Sequence, residues 1–251
     1  MTDFGILSIE DTASDDEGVW LSTNELEEAI GDLEMVAELL PGVLTGPRRW
    51  RWVIPALHRC LQGFMVSALV DGNGLRCLDK KSFTRWMEAY RTDRARLPSD
   101  PKIDSFLNLY KKVKDRDTMR FYVMSKPFRP TGQQERSVKL LNGLRNELTH
   151  FQPRVWGLEV SGLPGICRDC LEVAHFLAFE SGNILWIEDE PMQRTTRALT
   201  RCLDVLVEIE RAYGVGAGTR TKPRRKSIPQ PVTIAVDAPD LSAVANPEDQ
   251  R

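Results

Sequence analysis

An all-α fold, a bundle of about seven helices, is what the sequence predicts. Three observations lead there. Apolar residues recur at three- and four-residue spacing in successive stretches, the stripe of a helix that buries one face. Those stretches are bounded by capping residues, prolines and glycines. Only two longer connectors, around 116–131 and 152–163, read as loop or extended chain, and no internal repeat is present.

The elements follow in order. In "STNELEEAIGDLEMVAELLPG" Ser22 stands three residues before Glu25, a capping-box signature, and Leu26, Ile30, Leu33 and Leu40 make the stripe before Pro41-Gly42 stops it. A second helix is predicted from Pro47 through "RRWRWVIPALHRCLQGFMVSALV", with Pro55 expected to kink it, since the ring removes a backbone donor. A third spans "KKSFTRWMEAYR", with Phe83, Trp86, Met87 and Tyr90 on one face. A fourth is expected to be capped by Asp100 with Pro101 at its first position. A fifth covers about 133–151, ending there because Pro153 disfavours helix at Gln152, which leaves His150 in the last turn. A sixth runs from Pro164 to about Ser181, and a seventh from Pro191 to about Tyr213. The expected organisation is an acidic, disordered leader at 1–21, one helical domain at 22–214 and a disordered tail at 215–251 that contains "KPRRK".

Hydrophobic residues make up 41% of the 251, enough for one core, while charged residues make up 28%. No apolar run approaches the roughly 18 residues that span a bilayer, and the first residues lack a secretory pattern, so a cytoplasmic protein without a membrane partner is expected. Five scattered cysteines do not suggest a disulfide framework. Cys167 and Cys170 form a C-x-x-C with no second pair, so they read as small buried thiols and no metal or other cofactor is expected. The formal charge of −2 hides an asymmetry: residues 1–47 hold twelve acids and no Lys or Arg, which leaves 24 acids against 34 bases, a net +10, in the rest. A basic body of that kind attracts phosphate backbones.

The chemistry-bearing stretch is "LLNGLRNELTHFQPRVW" (140–156). Arg145 offers a fork that matches phosphate oxygens, and His150 is the side chain best suited to move a proton near neutral pH. Asn146, four before His150, would share its helix face and hold the imidazole or a phosphate oxygen. Such a set suits cleavage of RNA by its own 2′-hydroxyl, without a metal. One Arg and one His supply an acid or a base, not both, so a two-fold pair joining the fifth helices would complete a cleft. Arg48, Arg49 and Arg51, interleaved with Trp50, are a second candidate, a stacking and charged surface for a nucleic-acid strand. His58 and His175 lie in apolar surroundings and read as satisfied core or groove histidines.

"RNELTH" has the R-N-x-x-x-H form of the HEPN superfamily, helical bundles of bacterial toxins, phage-defence systems and CRISPR effectors. The longer "LNGLRNELTHFQPRVWGLEVSGLP" also resembles an uncharacterised bacterial HEPN-like family, over about residues 45–210. The resemblance implies a HEPN-like bundle and a metal-independent endoribonuclease acting on single-stranded RNA in toxin or phage-defence biology. It implies a homodimer, with an antitoxin or regulatory protein as a further partner. It carries phosphate binding to Arg145, orientation to Asn146 and proton transfer to His150. The alternative is a catalytically silent module of the same fold that binds RNA, nucleotide or a protein.

Overall fold

The computed structural model describes residues 20–70, 72, 74–92, 98, 101–150, 156–214 and 225–227. Within them the chain is an all-α bundle. Its helices are α1 (Glu25–Leu39), α2 (Trp50–Ser67), α3 (Lys80–Thr92), α4 (Phe106–Lys114), α5 (Arg116–Met119), α6 (Gln134–Thr149), α7 (Leu163–His175) and α8 (Asp189–Ala212). Short 3-10 turns at Leu40–Val43, Pro47–Arg49 and Leu75–Cys77 join some of them. A π-helical turn, Phe176–Glu180, extends α7. The acidic leader falls outside the described residues except for Trp20 and Leu21, which are exposed.

α1 is capped by Asn24, not Ser22: the Asn24 Oδ1 accepts from the backbone N–H groups of Leu26 and Glu27 at 3.0 and 2.9 Å. Its buried face, Ala29, Ile30, Leu33, Val36 and Ala37, packs on α2 and α8. Gly63 sits at the α1–α2 crossing, where a Cβ would lie 2.7 Å from that of Ala29; only glycine lets the helices come so close. α2 runs as one helix across Pro55. α7 is the central helix, buried along most of its length against α2, α6 and α8.

Ion pairs tie the outer helices to this core. Arg59 of α2 binds Asp32 and Glu28 of α1, and Arg194 of α8 binds Glu34 and Glu27 of the same helix. Four of the acids at the front of the chain are therefore engaged within the bundle.

Three boundaries differ from expectation. The fourth helix starts at Phe106, behind Ser105, because the preceding residues pair with 77–79 instead: Leu78 bridges Ile103, and Asp79 N–H donates to the Lys102 carbonyl. Asp100 lies outside the described residues. The connector after Lys114 contains the one-turn α5, which Asp115 caps through Thr118. The tail expectation fails at Arg225–Ser227, which pairs antiparallel with Trp156–Leu158. That connector offers an extended backbone with open donors and acceptors, and a second strand satisfies them. The rest of 215–251 is outside the described residues.

Candidate functional site

α6 builds the site. Val138, Leu141 and Leu144 are buried and fix the helix against the bundle, with Asn142 half-buried beside them, while Asn146 and Thr149 are exposed and Arg145 is half so. α6 ends at Thr149, and His150 is its C-cap, with φ −97° and ψ 107° and its N–H donating to the Asn146 carbonyl at 3.1 Å. The helix therefore ends two residues before the expected 151, with His150 as the residue that leaves it. Its N–H keeps the bond to the carbonyl one turn back, on Asn146, and the chain turns extended only beyond that N–H.

The structure joins Arg145 to Asn146: the Arg145 Nη1 donates to Asn146 Oδ1 at 3.0 Å. Both Asn146 and His150 are exposed, Arg145 half so. Among the described residues no side chain is hydrogen-bonded to the His150 imidazole.

A link invisible to the motif lies one turn earlier. The buried His58 Nε2 stands 3.2 Å from Asn142 Oδ1, and its ring stacks on Phe106 at 3.9 Å. With that oxygen as acceptor, Nε2 carries the proton and Nδ1 does not; Nδ1 has no hydrogen-bond partner among the described residues. Burial lowers the His58 pKa to about 4, the Asn142 bond opposes that, and the nearby Arg145 charge adds to it. Asn142 precedes Arg145 by three residues, so α6 connects a core histidine to the exposed arginine. A polar residue inside the apolar stripe of α6 was the available signal.

The second candidate surface changes its composition. Trp50 is 2% exposed, and its Nε1 donates to the Tyr213 hydroxyl at 3.0 Å, so it belongs to the core and offers no face to a base. The exposed aromatic is Trp52, with the Arg51 guanidinium 5.1 Å from its ring centre. Arg48 and Arg49 are exposed beside them.

His175 is not a core residue. It is half exposed, 3.2 Å from Glu180 Oε1 across the π-helical turn, at the edge of a groove of about 450 Å³ that Phe128, Arg129, Gln134, Glu172 and Phe176 also line. All five cysteines are buried and unpaired, and burial pushes the Cys60, Cys167, Cys170 and Cys202 thiols up, Cys202 to about 12. Among the described residues no group of three or more His, Cys, Asp and Glu side chains could hold a metal, and no helix is long and apolar enough to cross a membrane. Comparison with family models, with curated proteins and with solved structures finds no match for this chain.

Proposed function

We propose that the chain is a metal-independent endoribonuclease of HEPN type, acting on single-stranded RNA in toxin or phage-defence biology and answering to an antitoxin or regulatory protein. The observation that carries the proposal is the hydrogen-bonded Arg145–Asn146 pair beside the exposed His150 at the end of α6. In the reaction an RNA 2′-hydroxyl attacks the adjacent phosphorus and the 5′-oxygen leaves. A base takes the 2′-proton, an acid protonates the leaving oxygen, and a 2′,3′-cyclic phosphate remains. Arg145 stabilises the charge on the phosphoryl oxygens, and His150 acts as one of the two proton-transfer groups. A second copy across a two-fold axis supplies the other. Arg48, Arg51 and Trp52 extend a basic, aromatic surface for the strand.

One observation favours a second reading. Asn146 Oδ1 accepts from Arg145, and nothing among the described residues orients His150. That state suits a silent module that binds RNA or a protein.

Labelled RNA incubated with the protein in EDTA separates the two. Cleavage with cyclic or 3′-phosphate ends, lost in Arg145→Ala and in His150→Ala while helicity is kept, is the expected result. Full activity in either variant removes the site assignment, and 3′-hydroxyl ends point to a different mechanism.

A further inference from the structure

At the end of the bundle where α6 begins, two loops lie side by side. One is 120–126, "RFYVMSK"; the other is 182–188, "GNILWIE". They are locked together. The Lys126 N–H donates to the Ser181 carbonyl at 2.8 Å, and the Ser125 hydroxyl donates to Asn183 Oδ1 at 2.6 Å. The buried Asn183 amide nitrogen donates in turn to the carbonyls of Ala68 and Met119. Gly182, at φ +73°, is so close that a Cβ there would meet the Met124 carbonyl at 2.9 Å. The Arg76 guanidinium lies 4.1 Å over the Phe121 ring at the root of the first loop, and Trp186 donates to the Ala178 carbonyl at the root of the second.

This rigid platform holds apolar side chains in solvent. Val123 is fully exposed, Ile187 is 95% exposed and Met124 70%, with Tyr122 and Leu185 about half or more. Exposed apolar side chains on two loops that the fold ties together mark an interaction site. Its charges say what sits there. Exposed Arg120 and Lys126 flank the first loop, while exposed Glu188, Asp189 and Glu190 close the second. The acids disfavour an anionic bilayer. The arrangement suits a surface that meets its own copy: in a two-fold contact each first loop faces the partner's second loop, so bases meet acids twice around one apolar centre.

We infer that two copies of this chain associate through the paired loops 120–126 and 182–188. The inference does not rest on the ribonuclease reading. Gln134 to Glu172 and Ser137 to Asp169 hydrogen bonds show that α6 and α7 run antiparallel, which puts the patch at the start of α6 and His150 at its far end. The helix between them is about 24 Å long by its 16 residues. This contact is therefore separate from the one a composite Arg145–His150 cleft needs.

Sedimentation velocity on the full chain tests it. The wild type should associate through this contact, to a dimer if it acts alone and beyond a dimer if the far ends of α6 pair as well. Arg120→Glu with Lys126→Glu, and separately Glu188→Lys with Asp189→Lys, should each weaken association on the order of 100-fold, because like charges then face each other at both ends. An equimolar mixture of the two variants should recover a 1:1 dimer, since both contacts then join opposite charges. Val123→Asp with Ile187→Asp should lose this step of association, with a melting temperature close to wild type. A monomeric wild type overturns the inference. So does an assembly whose size no variant changes, which would join elsewhere, as at the composite cleft. Binding of phosphatidylserine vesicles by a monomeric wild type, lost on Val123→Asp, would name a bilayer as the occupant and overturn it too.

Discussion

His58 shows what one buried side chain does to the whole molecule. In the folded protein it takes a proton only near pH 4, because burial disfavours the imidazolium and Arg145 adds a like charge. In the unfolded chain it takes one near its ordinary 6.5. Between those values the unfolded state binds more protons, so stability rises with pH across the window. The contribution is complete above 6.5 and is lost as pH falls toward 4, about 3 kcal/mol in all. Urea unfolding of His58→Gln at pH 4.5 and pH 7 should show a much flatter pH dependence than the wild type, with the Asn142 contact partly kept. An equal slope in the two proteins would mean that other groups carry the acid sensitivity. The stake is the placement of Arg145, because Asn142 is the link between His58 and the exposed turn of α6.

At the scale of elements, helix stripes were legible because periodicity reports burial directly: Ile30 and Leu33 of α1 and Leu199 and Leu206 of α8 are core residues. Ends were less legible, because competing partners decide them. Asn24 outcompetes Ser22 for the first N–H groups of α1, and a Leu78–Ile103 bridge withholds residues before Phe106 from α4. The stripe of α3 shows the limit of periodicity alone. Phe83 and Tyr90 are exposed, Trp86 and Met87 half-buried, and Trp86 stacks on Tyr90 at 5.7 Å instead of on the core. The site shares this pattern: Arg145 and Asn146 were readable as neighbours on a helix, whereas the exit of His150 from the helix depends on its end. Trp50 and Trp52 look alike by composition, but spacing separates them: Trp50 falls on the stripe of Val53, Ile54 and Leu57 and is buried, whereas Trp52 falls off it and is exposed. The cap is directly testable. Asn24→Ala should cost about 1 kcal/mol in urea unfolding, while Ser22→Ala should change little. The reverse ranking would return the cap to Ser22.

The whole molecule is an acidic front joined to a basic body, and the bundle divides that front in two. Glu27, Glu28, Asp32 and Glu34 of α1 are held by Arg59 and Arg194, so they neutralise the body's own arginines and are not free to compete for a ligand. The six acids of residues 1–21, Asp3, Glu10, Asp11, Asp15, Asp16 and Glu17, have no base among their sequence neighbours. If RNA binds the basic surface, those six compete with its phosphates. Deleting residues 1–21 leaves Asn24 and its cap in place, so the fold should survive with an unchanged melting temperature. RNA affinity should rise, with a steeper salt dependence, because more phosphate contacts release more counterions. The gain should fade above physiological ionic strength, where the Debye length falls below about 8 Å. Fluorescence anisotropy of a labelled single strand across a salt series measures both quantities on the intact and shortened chains. Coincident curves would show that the leader's charge never reaches the binding surface, and would leave the paired acids of α1 as the only part of the front that acts on the body.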